Sequence, residues 1–115
     1  MKLDEFIAPR LKDLKIFPRN LYVDHPGWKS LYVRVSQRLV NHGMRTVIDL
    51  ANMEAEETGK GTFRKLIVHL QTTYPDFPVY VEQVLTDQFM EGLLRMGFQR
   101  KNEIEPSFYL LPKES

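Results

Sequence analysis

The chain contains no cysteine, so it holds no disulfide, no thiol nucleophile and no thiolate metal site. No apolar run approaches the ~18 residues of a membrane-spanning helix, and no membrane segment is read. Neither charge dominates: 16 basic against 15 acidic side chains leave a net +1. That balance argues against a dedicated nucleic-acid binder, although it leaves room for a local basic patch. The start, Met1-Lys-Leu-Asp-Glu5, lacks the apolar stretch of a signal peptide. There is no internal repeat and no low-complexity segment. The default expectation is a cytoplasmic protein with no membrane contact.

What is present suits one domain spanning 1–115. Apolar residues make up 43%, including 7 Phe and 5 Tyr, enough for one core and not for two. The first 16 residues place Leu3, Ile7, Leu11 and Leu14 at near-helical spacing, with Pro9 interrupting. Lys2, Arg10, Lys12 and Lys15 fall outside that stripe. This predicts a short or broken helix packed on a sheet; a membrane-surface helix is the alternative.

After the break at Pro18-Arg-Asn, residues 21–23 read as a short strand and His25-Pro-Gly-Trp28 as a turn. Residues 30–40 alternate, with Leu31, Val33, Val35 and Leu39 on one face and Tyr32, Arg34, Ser36 and Arg38 on the other. Period two predicts a half-buried strand. The arginine-bearing face is read as solvated, or as an acceptor or partner surface. Asn41-His-Gly43 signals a hairpin, and residues 44–54 form the next strand, paired antiparallel.

Gly59 and Gly61 then occupy a strand-to-helix turn. Two glycines there leave backbone N–H groups uncovered at a helix N-terminus, a way to hold phosphate or pyrophosphate. Lys60, Arg64 and Lys65 add cations at the same end. The other reading is a plain glycine turn with a basic helix face. The spacing of a Walker loop is absent. Phe63, Leu66, Ile67, Leu70 and Tyr74 follow helix spacing until Pro75 and Pro78. A strand over residues 79–84 follows, then a helix marked by Leu85, Phe89, Leu93 and Met96, with Gly97 as its stop and Phe98 packing back. Residues 107–111 form a last strand before a polar tail. The expected fold is α+β, with a mixed sheet that is antiparallel first and crosses over in parallel across residues 46–84.

Two stretches, taken together, resemble a known superfamily. Thr58-Gly-Lys-Gly61-Thr-Phe63-Arg-Lys-Leu66-Ile67 is similar to the first cofactor motif of the GNAT superfamily of acetyl-coenzyme A-dependent N-acyltransferases. The run from Val79 to Gly97-Phe98 is similar to the second. The resemblance covers roughly residues 30–111 and is strongest toward short GNAT-like proteins encoded by bacteriophages. Thr58 stands where the family usually has Gln or Arg, and Phe63 where it has Gly or Ala. Leu93 replaces a helix tyrosine, and Thr86 a common asparagine near the cofactor.

The resemblance implies a GNAT-like sheet with a splayed central strand pair. It implies that acetyl-coenzyme A binds with its pyrophosphate on the amides of Gly59, Lys60, Gly61, Thr62 and Phe63, beside Arg64. Its pantetheine arm would follow Leu50, Asn52 and Met53, with Thr86 close by. The implied reaction is acetyl transfer to an amine by direct attack in a ternary complex, since no cysteine can carry the acyl group. An alkylamine sits near pKa ~10.4 and gains from a carboxylate base. Glu54 is the first candidate and Asp49 the second, while Glu54, Glu56 and Glu57 also read as a solvated acidic loop. A strand N–H near Met53 or Glu54 would hold the oxyanion. Leu93 cannot serve as an acid; Tyr80 and Tyr109 are the substitutes, and both also suit a core. The alternative function is a GNAT-fold protein with weak or lost catalysis that binds coenzyme A or a host protein. His25, His42 and His69 show no ligand spacing, so no metal is expected. A small sheet with an exposed edge could form a homodimer.

Overall fold

The computed structural model describes residues 1–113. Its elements are α1 (Leu3–Lys12), β1 (Asn20–Tyr22), β2 (Trp28–Val40), β3 (Gly43–Ala55), α2 (Thr62–Thr73), β4 (Val79–Val81), α3 (Asp87–Arg95), β5 (Gln99–Arg100) and β6 (Phe108–Leu110). The six strands form one mixed sheet in the order β1-β2-β3-β4-β6-β5. All three helices contribute to one core cluster with Val33, Val35, Ile48, Leu50, Val79 and Val81. A smaller cluster of Val40, Val47, Tyr80 and Tyr109 holds no helical residue and marks the other face. The last part of the polar tail, residues 114–115, lies outside the described residues.

Helix α1 buries Leu3, Phe6 and Ile7, and it runs through Pro9 without breaking. Asp4 and Glu5 in its first turn and Arg10 and Lys12 in its last suit the helix dipole. Arg10 was expected outside and is instead 4% exposed. Its guanidinium donates to the carbonyls of Phe6 (3.0 Å), Phe17 (3.2 Å) and Pro18, and stacks 4.3 Å over the Phe6 ring. The helix therefore ends early, at Lys12, and Arg10 ties the returning chain to it.

The β2–β3 hairpin is the longest pairing, and Asn41 (φ 48°) and His42 (φ 67°) turn it. Both central residues need positive φ in the turn that matches strand twist, which explains Asn at the first. Leu39 departs from the expected apolar face. It is 55% exposed because the hairpin tip projects past the helices. In β3, Ala51 has no partner: Asn52 pairs with Tyr32 and Leu50 with Val33. This bulge shifts the alternation by one residue. Asp49 and Asn52 both fall on the arginine face as a result, while Leu50 and Met53 turn toward the helices.

Strand β4 pairs in parallel with only three residues of β3, Ile48 to Leu50. The Glu82 N–H then donates to the Leu50 carbonyl at 3.2 Å, Gln83 turns at φ 56°, and the Val84 N–H goes to the Pro106 carbonyl at 2.8 Å. The expected strand over 79–84 thus stops at Val81. Leu85 is 77% exposed and outside the helix, because α3 starts at Asp87 with Thr86 as its N-cap. At the far end Gly97 (φ 95°) stops α3, and the Phe98 N–H reaches back to the Leu93 carbonyl at 3.0 Å with its ring buried. Strand β5 was not foreseen; two residues carry no readable period.

Candidate active site

Where β4 leaves, β3 continues for five residues, Ala51 to Ala55, with no strand on that side among the described residues. The gap is a cleft of about 200 Å³ lined by Ala51, Asn52, Met53, Glu82, Thr86 and Phe89, among others. It opens at the C-terminal ends of a parallel strand pair, where ligands of open α/β sheets bind. The structure brings Asn52, Met53 and Thr86 together here. The Thr86 hydroxyl is engaged in capping, accepting from the Phe89 N–H at 3.2 Å. Leu50 is fully buried in the helix-facing core and does not line the cleft.

The glycine turn lies at the same end of the sheet. Gly59 (φ 76°) and Gly61 (φ 70°) hold left-handed backbone, and nothing stands within 4 Å of the side-chain position at either. Gly61 is the N-cap of α2 and supplies no side chain to cap it. The first helical bond runs from the Lys65 N–H to the Gly61 carbonyl. Among the described residues no hydrogen bond closes on the N–H groups of Gly61, Thr62 or Phe63. Lys60, Arg64 and Lys65 are exposed around them. Open space, uncapped amides and cations together fit a pyrophosphate. The Phe63 ring meets the Phe89 ring edge-on at 5.3 Å, so the first turn of α2 abuts the wall of the cleft.

The carboxylates sort by burial. Glu54 is exposed and pairs with Lys29 at 3.7 Å on the surface. Glu56 and Glu57 are exposed as well. Asp49 is 0% exposed and accepts from the Arg38 guanidinium at 2.9 Å. Glu82, at the cleft, lies 3.6 Å from Arg38 and 3.7 Å from Arg34. Burial first, then the hydrogen bond and charge of Glu82, push Asp49 up to about 8, against the opposing pull of Arg38. Sequence reasoning missed Glu82. Its phase was the available signal: it follows Tyr80 by two residues and so shares the face of Arg34 and Arg38.

The arginine face, read as solvated, is half-buried instead. Arg34 Nε, Ser36 Oγ, Arg38 Nε, Asp49 Oδ1 and Glu82 Oε2 are buried with no hydrogen-bond partner among the described residues. Tyr80 sits there under Lys101, and the Tyr109 hydroxyl donates to Gln99 at 3.2 Å. Leu93 is wholly in the helix-side core.

A larger hollow, about 640 Å³, lies beside the start of α1 against His25, Trp28 and Glu56. Its Asp4 is already engaged, by His69 at 2.9 Å and by the Tyr74 hydroxyl at 2.6 Å. Folding brings His25 to 5.4 Å from His69, a pairing the sequence did not suggest. Among the described residues no three His, Asp or Glu side chains converge to hold a metal. The hollow is wide and its Asp4 is already paired, and the smaller cleft, at the splay of the parallel strand pair, is the better candidate for chemistry.

With this geometry in view, solved structures supply a match. The toxin AtaT, carrying a Tyr-to-Phe substitution and bound to the C-terminus of the antitoxin AtaR and to acetyl-CoA, superposes with a TM-score of 0.55 at 14% identity. The fold is GNAT-like. The match covers 72% of this chain and 57% of AtaT, so the chain spans little more than half of that protein. No protein-family model matches the sequence, and no curated protein does. No described helix is long and apolar enough to cross a membrane.

Proposed function

We propose that the protein is an acetyl-coenzyme A-dependent N-acetyltransferase. The observation that carries this reading is the junction of the β3–β4 splay with the uncapped start of α2. The amides of Gly61, Thr62 and Phe63, with Lys60, Arg64 and Lys65 beside them, would hold the pyrophosphate. The helix end contributes about 0.3–1 kcal/mol per exposed charge contact. The free edge of β3 at Asn52 and Met53 would lie along the pantetheine arm. The acetyl thioester supplies an activated acyl group, and the chain's part is to bind, align and deprotonate. The acetyl-CoA in the AtaT complex supports the same reading.

Calorimetric titration with acetyl-CoA tests it. Saturable binding is expected, and Gly61→Glu should remove it. The substitution sets a carboxylate where the diphosphate would sit and strains a left-handed position, while its Cβ meets nothing within 4 Å. Unchanged affinity in that variant would take the turn out of the site.

A second reading has its own support. Leu93 lies in the core, so α3 presents no hydroxyl there to a leaving thiolate. A catalytically weak, phage-encoded protein that binds coenzyme A and a host protein would need none. The protein ligand in the AtaT complex is consistent with a partner. Acetyl-CoA binding without transfer to any amine would favour this reading.

A further inference from the structure

We infer that Glu82, backed by Asp49, is the group that takes the proton from the attacking amine, in place of the exposed Glu54. This rests on the acetyl-transfer reading. Three observations carry it. Glu82 is the carboxylate that lines the cleft, beside Ala51, Asn52 and Met53. Asp49 and Glu82 share one guanidinium, that of Arg38, at 2.9 Å and 3.6 Å. Each also holds a buried oxygen, Asp49 Oδ1 and Glu82 Oε2, that makes no hydrogen bond among the described residues, Glu82 Oε2 having only the longer ion-pair contacts to Arg34 and Arg38.

Buried acceptors without donors are rare in folded proteins, and two adjacent carboxylates resolve the problem by holding one proton between them. Such a pair titrates as a unit. The charged groups against it are Arg34 and Arg38 from β2; Tyr80 of β4 lies under Arg38, and Lys101 after β5 lies over Tyr80. Asp49 is pushed up to about 8, by burial first and then by Glu82. Asp49 thus carries the shared proton near neutral pH, and Glu82 is the carboxylate that the cleft presents to an incoming amine.

In the step itself, the amine nitrogen bonds to the thioester carbonyl carbon and the carbon–sulfur bond breaks. The sulfur leaves as a thiolate. The Glu82 carboxylate at the cleft takes the ammonium proton before attack and passes it to solvent; the acidified N–H proton of the adduct is lost to water, and the thiolate is reprotonated from water. The exposed Glu54, held to Lys29 on the surface, lines no part of the cleft.

The test compares two amines with the full chain and acetyl-CoA. Ethylamine is protonated at neutral pH and needs a base; hydroxylamine is already neutral and does not. Glu82→Gln should lower turnover of ethylamine about 100-fold, the lower end for a lost general base, while turnover of hydroxylamine stays near wild type. Asp49→Asn, shown to be natively folded at the assay pH values, should shift the pH profile for ethylamine. Glu54→Gln should change neither amine. If Glu82→Gln slows both amines equally, or neither, the inference falls while the acetyl-transfer reading stands. If the wild type binds no acetyl-CoA, or turns over neither amine, both fall together. Carboxyl-carbon NMR titration of Glu82→Gln reads the pair without turnover: Asp49 should titrate lower than in the wild type, and an unmoved Asp49 overturns the shared proton.

Discussion

The two faces of the sheet are built on opposite rules. Toward the helices, Val33, Ile48, Leu50, Val81 and Phe108 are each no more than 2% exposed and pack in one cluster. Toward the other side, Arg34, Ser36, Arg38, Asp49 and Glu82 crowd together, with five buried polar atoms that make no hydrogen bond among the described residues. Leaving such an atom unpaired costs about 1–3 kcal/mol. The first face therefore accounts for the stability, and the second draws on it. Places where a fold breaks its own packing rules are where function concentrates. The same strands supply both faces, because successive residues of a strand point to opposite sides.

Breaking the apolar face should give the larger loss. Leu70→Ala removes a fully buried side chain from α2 and should cost about 2–5 kcal/mol in denaturant unfolding. A cost under ~1 kcal/mol would mean the helix layer is not what holds the sheet.

The polar face should show itself in pH dependence. Asp49 holds its proton more tightly folded, at about 8, than at its ordinary 3.8. The folded state thus carries the extra proton in that window. The contribution is fully present below 3.8 and is lost as pH rises toward 8. The limiting slope for one proton is about 1.4 kcal/mol per pH unit. Stability should fall between pH 5 and pH 8 in the wild type, and Asp49→Asn should flatten that fall. Parallel curves for the two proteins would show that Asp49 ionises normally.

The smallest effect should come from the solvent-exposed pair beside the site. Lys29→Ala removes the partner of Glu54 and should change stability by less than about 1 kcal/mol, because exposed ion pairs are screened and mobile. A larger loss would mean Glu54 is less free than its exposure shows.

Much of this contrast was legible in the residue order. The alternation from Leu31 to Arg38 gave both faces, Asn41-His-Gly43 gave the hairpin, and Gly97-Phe98 gave the end of α3. Each depends on one strand or turn, and local sterics decide such features. The failures are equally specific. Arg10 was assigned to solvent because its charge fits the outer stripe of α1, yet three carbonyls, two of them from residues 17 and 18, take it in. Leu39 was assigned to the core by phase, but phase does not reveal where the covering helices stop. Glu82 was passed over because it closes a short apolar run and its partners lie more than 30 residues away on β2 and β3.

The order of residues settled which segments become strands and helices, where the glycine turn falls and which side chains share a face. Those are short-range consequences of steric preference and period. Only the assembled sheet decided that β4 leaves β3 after Leu50, that the Ala51 bulge sets Asp49 and Asn52 on one side, and that Asp49 and Glu82 meet over Arg38. Bringing two carboxylates together in a dry place is unfavourable for any local segment. It happens here because the surrounding core fixes the strands that carry them.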